Sequence, residues 1–199
     1  MLTCSIVAVT VALSILCFRS QDLFLKLSLM PYRVVKHREF YRLVTHGFIH
    51  ADWTHLFVNM FTLWSFGYYM EQIFDYMGFR TGAWLLLYMG GMLVATTHDL
   101  LTQRNNPYYL SIGASGAVSA VMFASIFLDP WGKIYLMALL PLPSILFGVI
   151  YLIYCQYMAR QAEDNVNHYA HFYGALYGFL FPALLHPDLI SQFWIKLIG

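Results

Sequence analysis

The sequence predicts an all-α polytopic membrane protein, a bundle of six transmembrane helices forming one domain over residues 1–199. Three observations predict it. The chain is 60% hydrophobic and only 11% charged, against roughly 25% charged in ordinary soluble domains. Apolar runs recur at about the twenty-residue length that spanning a bilayer demands. Short polar breaks separate those runs.

The six segments are Leu2–Phe18, Trp53–Phe74, Thr81–Leu101, Gly113–Leu128, Ile134–Met158 and His168–Leu185. A cleaved leader is the rival for the first. It would want a basic start and a small-residue cleavage site, and no Lys or Arg precedes Arg19. Leu2–Phe18 is therefore expected to be a spanning helix. The stretch of about residues 19–52 mixes Arg19, Lys26, Arg33, Lys36, Arg38 and Arg42 with Leu, Phe, Tyr and Val. That composition suits a structured loop lying in the membrane interface. Polar breaks follow at Asp75 to Arg80, Gln103 to Pro107, Asp129 to Gly132 and Arg160 to Asn167. Near-neutral charge, +1, gives no sign of a nucleic-acid partner. Cys4, Cys17 and Cys155 fall in apolar runs without paired spacing. They read as small apolar filler, and neither a disulfide framework nor a metal site is expected.

Helix order assembles a site. The second, fourth and sixth segments enter the bilayer from the same side. Their N-terminal ends carry His55 and Asn59, then Ser115, then His168 and His171. Polar groups at membrane depth are costly and face the bundle interior or a water-filled cavity. Ser115 lies in Gly113-Ala114-Ser115-Gly116. The free N–H groups of a helix's first turn are there to stabilise an oxyanion. His171 precedes Gly174 and Gly178, a small-residue face matched by Gly116 and Ala120 on the fourth segment. Packing those faces lets two backbones approach closely. A serine nucleophile needs an adjacent base, and histidine supplies one near neutral pH. His55 and Asn59, four apart, share a helix face. The residues alone leave them open between oxyanion donors and an ordinary interhelical hydrogen bond.

Taken together, Arg42, His46, His50, His55, Asn59, Gly67, Glu71, Gly113-Ala114-Ser115-Gly116, Ala170-His171, Gly174 and Gly178 resemble the rhomboid family of intramembrane serine proteases. The resemblance implies a Ser115–His171 dyad without a third acidic residue. It implies an oxyanion hole of His55, Asn59 and the Ser115 N–H, and bracing of the first loop against the second helix by Arg42 and Glu71. Neither metal nor cofactor is implied. The implied partners are the lipid bilayer and membrane-protein substrates with helix-destabilising transmembrane segments. The alternative is an inactive relative that binds membrane clients without cutting them.

Two positions depart from the family pattern. Tyr41 stands where many relatives carry Trp, and Ser119 where many carry a Tyr packed on the catalytic imidazole. Another aromatic such as Tyr173 would then hold His171, or the ring is looser. On that basis Ser119→Tyr is expected to be tolerated.

The resemblance implies a bacterial inner-membrane protein with its active site opening to the outer face. The excess of Lys and Arg on the site-side loops argues for the reverse orientation. An interface-bound loop can spend those charges on headgroups, so the family's orientation is preferred.

Other membrane chemistries find less support. The His-Glu-x-x-His string of zinc proteases is absent, and the Asp residues lie in loops or at helix ends. His50, His55, His168 and His171 cluster at one end rather than facing across the bundle as haem ligands would. Broken helices and repeats, the marks of a transporter, are not found.

Overall fold

The computed structural model describes every residue except 80, 137–138 and 162–165. It is a helical bundle with one small hairpin. In chain order the elements are α1 (Leu2–Phe18), α2 (Gln21–Leu27), α3 (Pro31–His37), α4 (Arg42–Thr45), α5 (Trp53–Tyr76), α6 (Thr81–Ala95), α7 (Thr97–Thr102), α8 (Ser115–Leu128), β1 (Lys133–Leu136), β2 (Leu140–Pro143), α9 (Ser144–Gln161), α10 (His168–Leu185) and α11 (Asp188–Ile198). Helices stand at all six predicted places. By length and hydropathy alone, and among the described residues, Thr81–Thr102 is long and apolar enough to cross a membrane, while Leu2–Phe18 and Ser115–Leu128 are apolar but shorter.

Helix starts follow local chemistry. Asp52 caps α5 by accepting from the His55 N–H at 2.8 Å, and Asn167 caps α10 by accepting from Ala170 N–H at 3.0 Å. Such caps satisfy donors that the first turn leaves orphaned. α1 begins differently: the Glu71 carboxylate, from α5, accepts from the Leu2 and Thr3 N–H groups.

α8 is the axis of the bundle. Every residue from Gly116 to Leu128 is buried. α5, α6, α9 and α10 surround it. The α8–α10 contact is backbone on backbone. A Cβ on Gly174 would overlap the Gly116 carbonyl, and one on Gly178 would overlap the Ala120 carbonyl. The two small-residue faces thus meet as the spacing predicts.

The fifth predicted segment is corrected. Where helix was expected from Ile134, β1 (Lys133–Leu136) and β2 (Leu140–Pro143) pair antiparallel with Lys133 opposite Pro143, and helix starts only at Ser144. Pro141 and Pro143 are the physical reason, since each removes a backbone donor and would clash in a helix interior. Beyond α10 the chain adds α11, which is not among the six predicted segments. Leu189 and Phe193 are its buried face, and Phe193 stacks on Phe127 of α8 at 4.9 Å. Lys196 Nζ donates to the Leu128 carbonyl at 2.7 Å, tying α11 to the end of α8.

Candidate active site

Ser115 opens α8 and is partly exposed, behind the buried Gly113 and Ala114. The turn before it is held by the first loop at three points. Leu29 and Ser111 exchange two backbone hydrogen bonds at 3.0 Å. Gly113 N–H donates to the His46 carbonyl at 2.9 Å. Ala114 N–H donates to His50 Nε2 at 3.4 Å. Gly113 takes φ +107°, a conformation that side-chain-bearing residues rarely adopt. Space forbids a side chain as well, because a Cβ there would sit 2.7 Å from His55 Cε1 and 2.9 Å from His55 Nε2. The His55 imidazole therefore lies directly over the glycine two residues before Ser115.

Asn59 is buried one turn below His55, and its Nδ2 donates to the His55 carbonyl at 2.9 Å. An amide has two N–H donors, and among the described residues the second has no acceptor. His50 and His55 meet edge to face, centroids 4.8 Å apart. Since His50 Nε2 accepts from Ala114, its Nδ1 carries the proton and donates to Ser14 Oγ at 3.2 Å. Burial lowers the His50 pKa to about 3, aided by His55 and opposed by Asp52. Burial likewise lowers His46 to about 4, against its hydrogen bond to the Arg42 carbonyl. Both imidazoles are neutral braces of the serine turn.

His171, partly exposed, lies in the first turn of α10, directly before the Gly174–Gly116 contact. Its ring lies parallel to Tyr151 of α9, centroids 6.4 Å apart and planes 14° from coplanar. The Tyr151 hydroxyl hydrogen-bonds the Ser119 hydroxyl at 2.8 Å. The aromatic that a Ser at 119 cannot supply thus comes from α9, and Ser119 fixes it. Tyr173 does not fill that place, since it faces His98, whose ring also stacks on Tyr169 at 3.9 Å. The expectation for Ser119→Tyr reverses with this: Ser119 is 3% exposed, and a tyrosine there would displace Tyr151.

Arg42 and Glu71 do not act together. Arg42 is buried and pairs with Glu39, and its Nη1 donates to the Leu25 and Ser28 carbonyls, each at 2.7 Å. Arg42 therefore knits the first loop to itself, while Glu71 joins α5 to α1. A second polar cluster anchors the start of α10. Asn167 Nδ2 donates to Asp99 at 2.7 Å and to Ser111 Oγ at 3.2 Å. Ser111 is also the strand partner of Leu29, so one network reaches from α7 to both the serine turn and the histidine helix. Asn167 was legible as a cap residue before an apolar run; His46 and His50 stood in the family pattern without an assigned role, and Asp99 and Tyr151 carried no local signal of theirs.

The fold and site define a helical membrane-type bundle with a serine and a histidine on abutting helix starts. The family model for the rhomboid domain matches residues 37–188, and the chain belongs to the rhomboid family, which is integral to membranes. Rhomboid-like protein 6, mitochondrial, of Arabidopsis thaliana is 34% identical over 161 residues, covering 78% of this chain and 48% of that protein. Rhomboid-like protein 5 of the same plant is 30% identical over 168 residues, covering 82% of this chain and 50% of its own length. A Bacillus subtilis (strain 168) relative is 26% identical, covering 73% of this chain and 67% of its own length. The chain spans about half the length of the first two. Other plant relatives carry mitochondrial and chloroplastic names, so the expected bacterial inner membrane finds no particular support.

Proposed function

We propose that the chain is an intramembrane serine endopeptidase, with Ser115 as nucleophile and His171 as general base. The observation that carries the proposal is the backbone contact of α8 with α10 at Gly116 and Gly174. It sets the serine-bearing and histidine-bearing turns side by side, as a two-residue catalytic unit requires.

In the proposed reaction, Ser115 Oγ attacks the scissile carbonyl as His171 takes its proton. The developing oxyanion is stabilised by the Ser115 N–H, by His55 over Gly113 and by the remaining Asn59 donor. His171 then returns the proton to the leaving amine. Water hydrolyses the acyl-enzyme in a second round of the same chemistry. Tyr151 and Ser119 position the imidazole, and the first loop positions the serine turn.

Six helices cross the bilayer in this proposal: α1, α5, α6 with α7, α8, α9 and α10. The site opens towards the outer face. At 14 residues, α8 is about 21 Å long by its rise per residue, well short of a hydrocarbon core of about 30 Å. Surrounding helices make up the thickness, and Ser115 lies recessed beneath the interface. The substrates are membrane proteins whose spanning segment contains small or helix-breaking residues, since an intact lipid-embedded helix hides its peptide bonds.

The test is cleavage of an engineered single-span substrate by the wild type, Ser115→Ala and His171→Ala. Both variants are expected to lose cleavage entirely while folding normally. Cleavage surviving both substitutions overturns the dyad. A wild type that binds the substrate without cutting it would instead be the client-binding relative.

A further inference from the structure

Cys155, His168 and His171 converge where α9 meets α10. Their ligand atoms, one thiol sulfur and two imidazole nitrogens, all lie within 4.8 Å of one another. Cys155 and His168 are buried and His171 is partly exposed. The two histidines are three apart on one helix face, with ring centroids 5.9 Å apart. α9 supports both rings. Tyr154 meets His168 edge to face at 5.6 Å, and Tyr151 lies parallel to His171 at 6.4 Å. Cys155 follows these two tyrosines on α9. The catalytic proposal uses only His171 of the three.

We propose that Cys155, His168 and His171 form an inhibitory site for a zinc-like divalent cation. The donor set fits such an ion. Zinc takes thiolate at about 2.3 Å and imidazole at about 2.0–2.1 Å, so side-chain rotations of about 1 Å close the cluster around it. Thiolate with imidazole selects zinc over the hard cations calcium and magnesium. Three protein donors leave the fourth tetrahedral position to water. The ion enters from the partly exposed His171 side. Binding forms one metal–sulfur and two metal–nitrogen bonds, releases the Cys155 thiol proton to water and changes no oxidation state. A metal-bound imidazole has no lone pair left for a proton, so the general base is lost. Inhibition rests on the protease proposal; metal binding does not.

The experiment uses the full-length chain in detergent, titrated with cobalt(II) as a spectroscopic stand-in and with zinc in the cleavage assay. Wild type is expected to develop a thiolate-to-cobalt charge-transfer band that saturates at one equivalent, and to lose cleavage in zinc reversibly to a chelator. Cys155→Ala is expected to abolish the band. Cys155→Ala and His168→Gln should each weaken zinc inhibition at least tenfold. No band in the wild type, or equal zinc sensitivity in all three proteins, overturns the site. A band in a chain that cleaves nothing keeps the metal site and overturns the protease proposal and inhibition with it.

Discussion

The serine and the histidine of the proposed pair are held in opposite ways. The turn before Ser115 hangs from hydrogen bonds to the first loop, through His46, His50 and the Leu29–Ser111 pair. His171 is held mainly by shape, through the glycine contacts of α10 with α8 and the flat face of Tyr151. Hydrogen bonds fix a direction but respond to protonation. Backbone packing ignores pH and fails abruptly with volume. The two halves should therefore break under different insults.

The largest effect is expected from volume on the histidine side. Gly174→Leu forces a side chain into the Gly116 carbonyl. Overpacking costs typically about 1–3 kcal/mol even where side chains can yield, and backbone yields less. Cleavage is expected to fall at least hundredfold, with a lowered melting temperature in detergent. Near-normal activity would show that close α8–α10 contact does not hold His171.

On the serine side the weak point is a proton acceptor. His50→Phe keeps an aromatic ring, somewhat larger than imidazole, and strands the buried Ala114 N–H, a loss of about 1–3 kcal/mol. Cleavage should drop roughly tenfold to hundredfold. The same variant changes the response to acid. His46 and His50 are depressed to about 4 and about 3, below the ordinary imidazole value of about 6.5. The unfolded chain therefore takes up protons first, and stability declines as pH falls below about 6.5, by about 1.4 kcal/mol per pH unit for each imidazole. Above that pH neither residue contributes a slope. Melting temperature followed from pH 8 to pH 4 should be flat and then fall in the wild type. In His50→Phe it should fall less steeply.

The smallest effect sharpens the comparison. Tyr151→Phe and Ser119→Ala each delete the 2.8 Å hydroxyl contact but leave the ring beside His171. Each should lower cleavage about twofold to tenfold. The double variant should be no worse than Tyr151→Phe alone, because that change already removes the shared bond along with the hydroxyl's hydrogen bond to Cys155. Additive losses would separate the two residues.

The legible parts of this molecule were those written in local pattern. α1 and α10 begin and end where apolar runs meet Met1, Arg19, Asn167 and His186. The meeting of α8 with α10 was legible because Gly174 and Gly178 lack the atoms that would keep two backbones apart. The β1–β2 hairpin was not, since a short apolar run suits a strand or a buried helix equally, though Pro141 and Pro143 were the available warning. Tyr151 was hidden for another reason. α9 is apolar around most of its surface, so nothing in its periodicity says which side meets α10. The bracing expected of Arg42 and Glu71 takes a different form, because the family pattern names the residues and not what each one touches. Arg42 pairs with Glu39 and with carbonyls of its own loop, while Glu71 holds the first N–H groups of α1.

The attachment of the serine turn also bears on when the site comes into being. Its bonds join residues far apart in the chain; His50 and Ala114 are separated by 64 positions. Contacts of such separation form only after the entropy of closing a long loop has been met. Neither α8 alone nor the first loop alone contains the ordered turn. During synthesis the proposed nucleophile therefore stays unaligned until both are made and docked, and α10 must still follow with His171. If the pair acts as proposed, a half-built chain exposes its membrane neighbours to no aligned serine and histidine, and assembly order itself delays the chemistry.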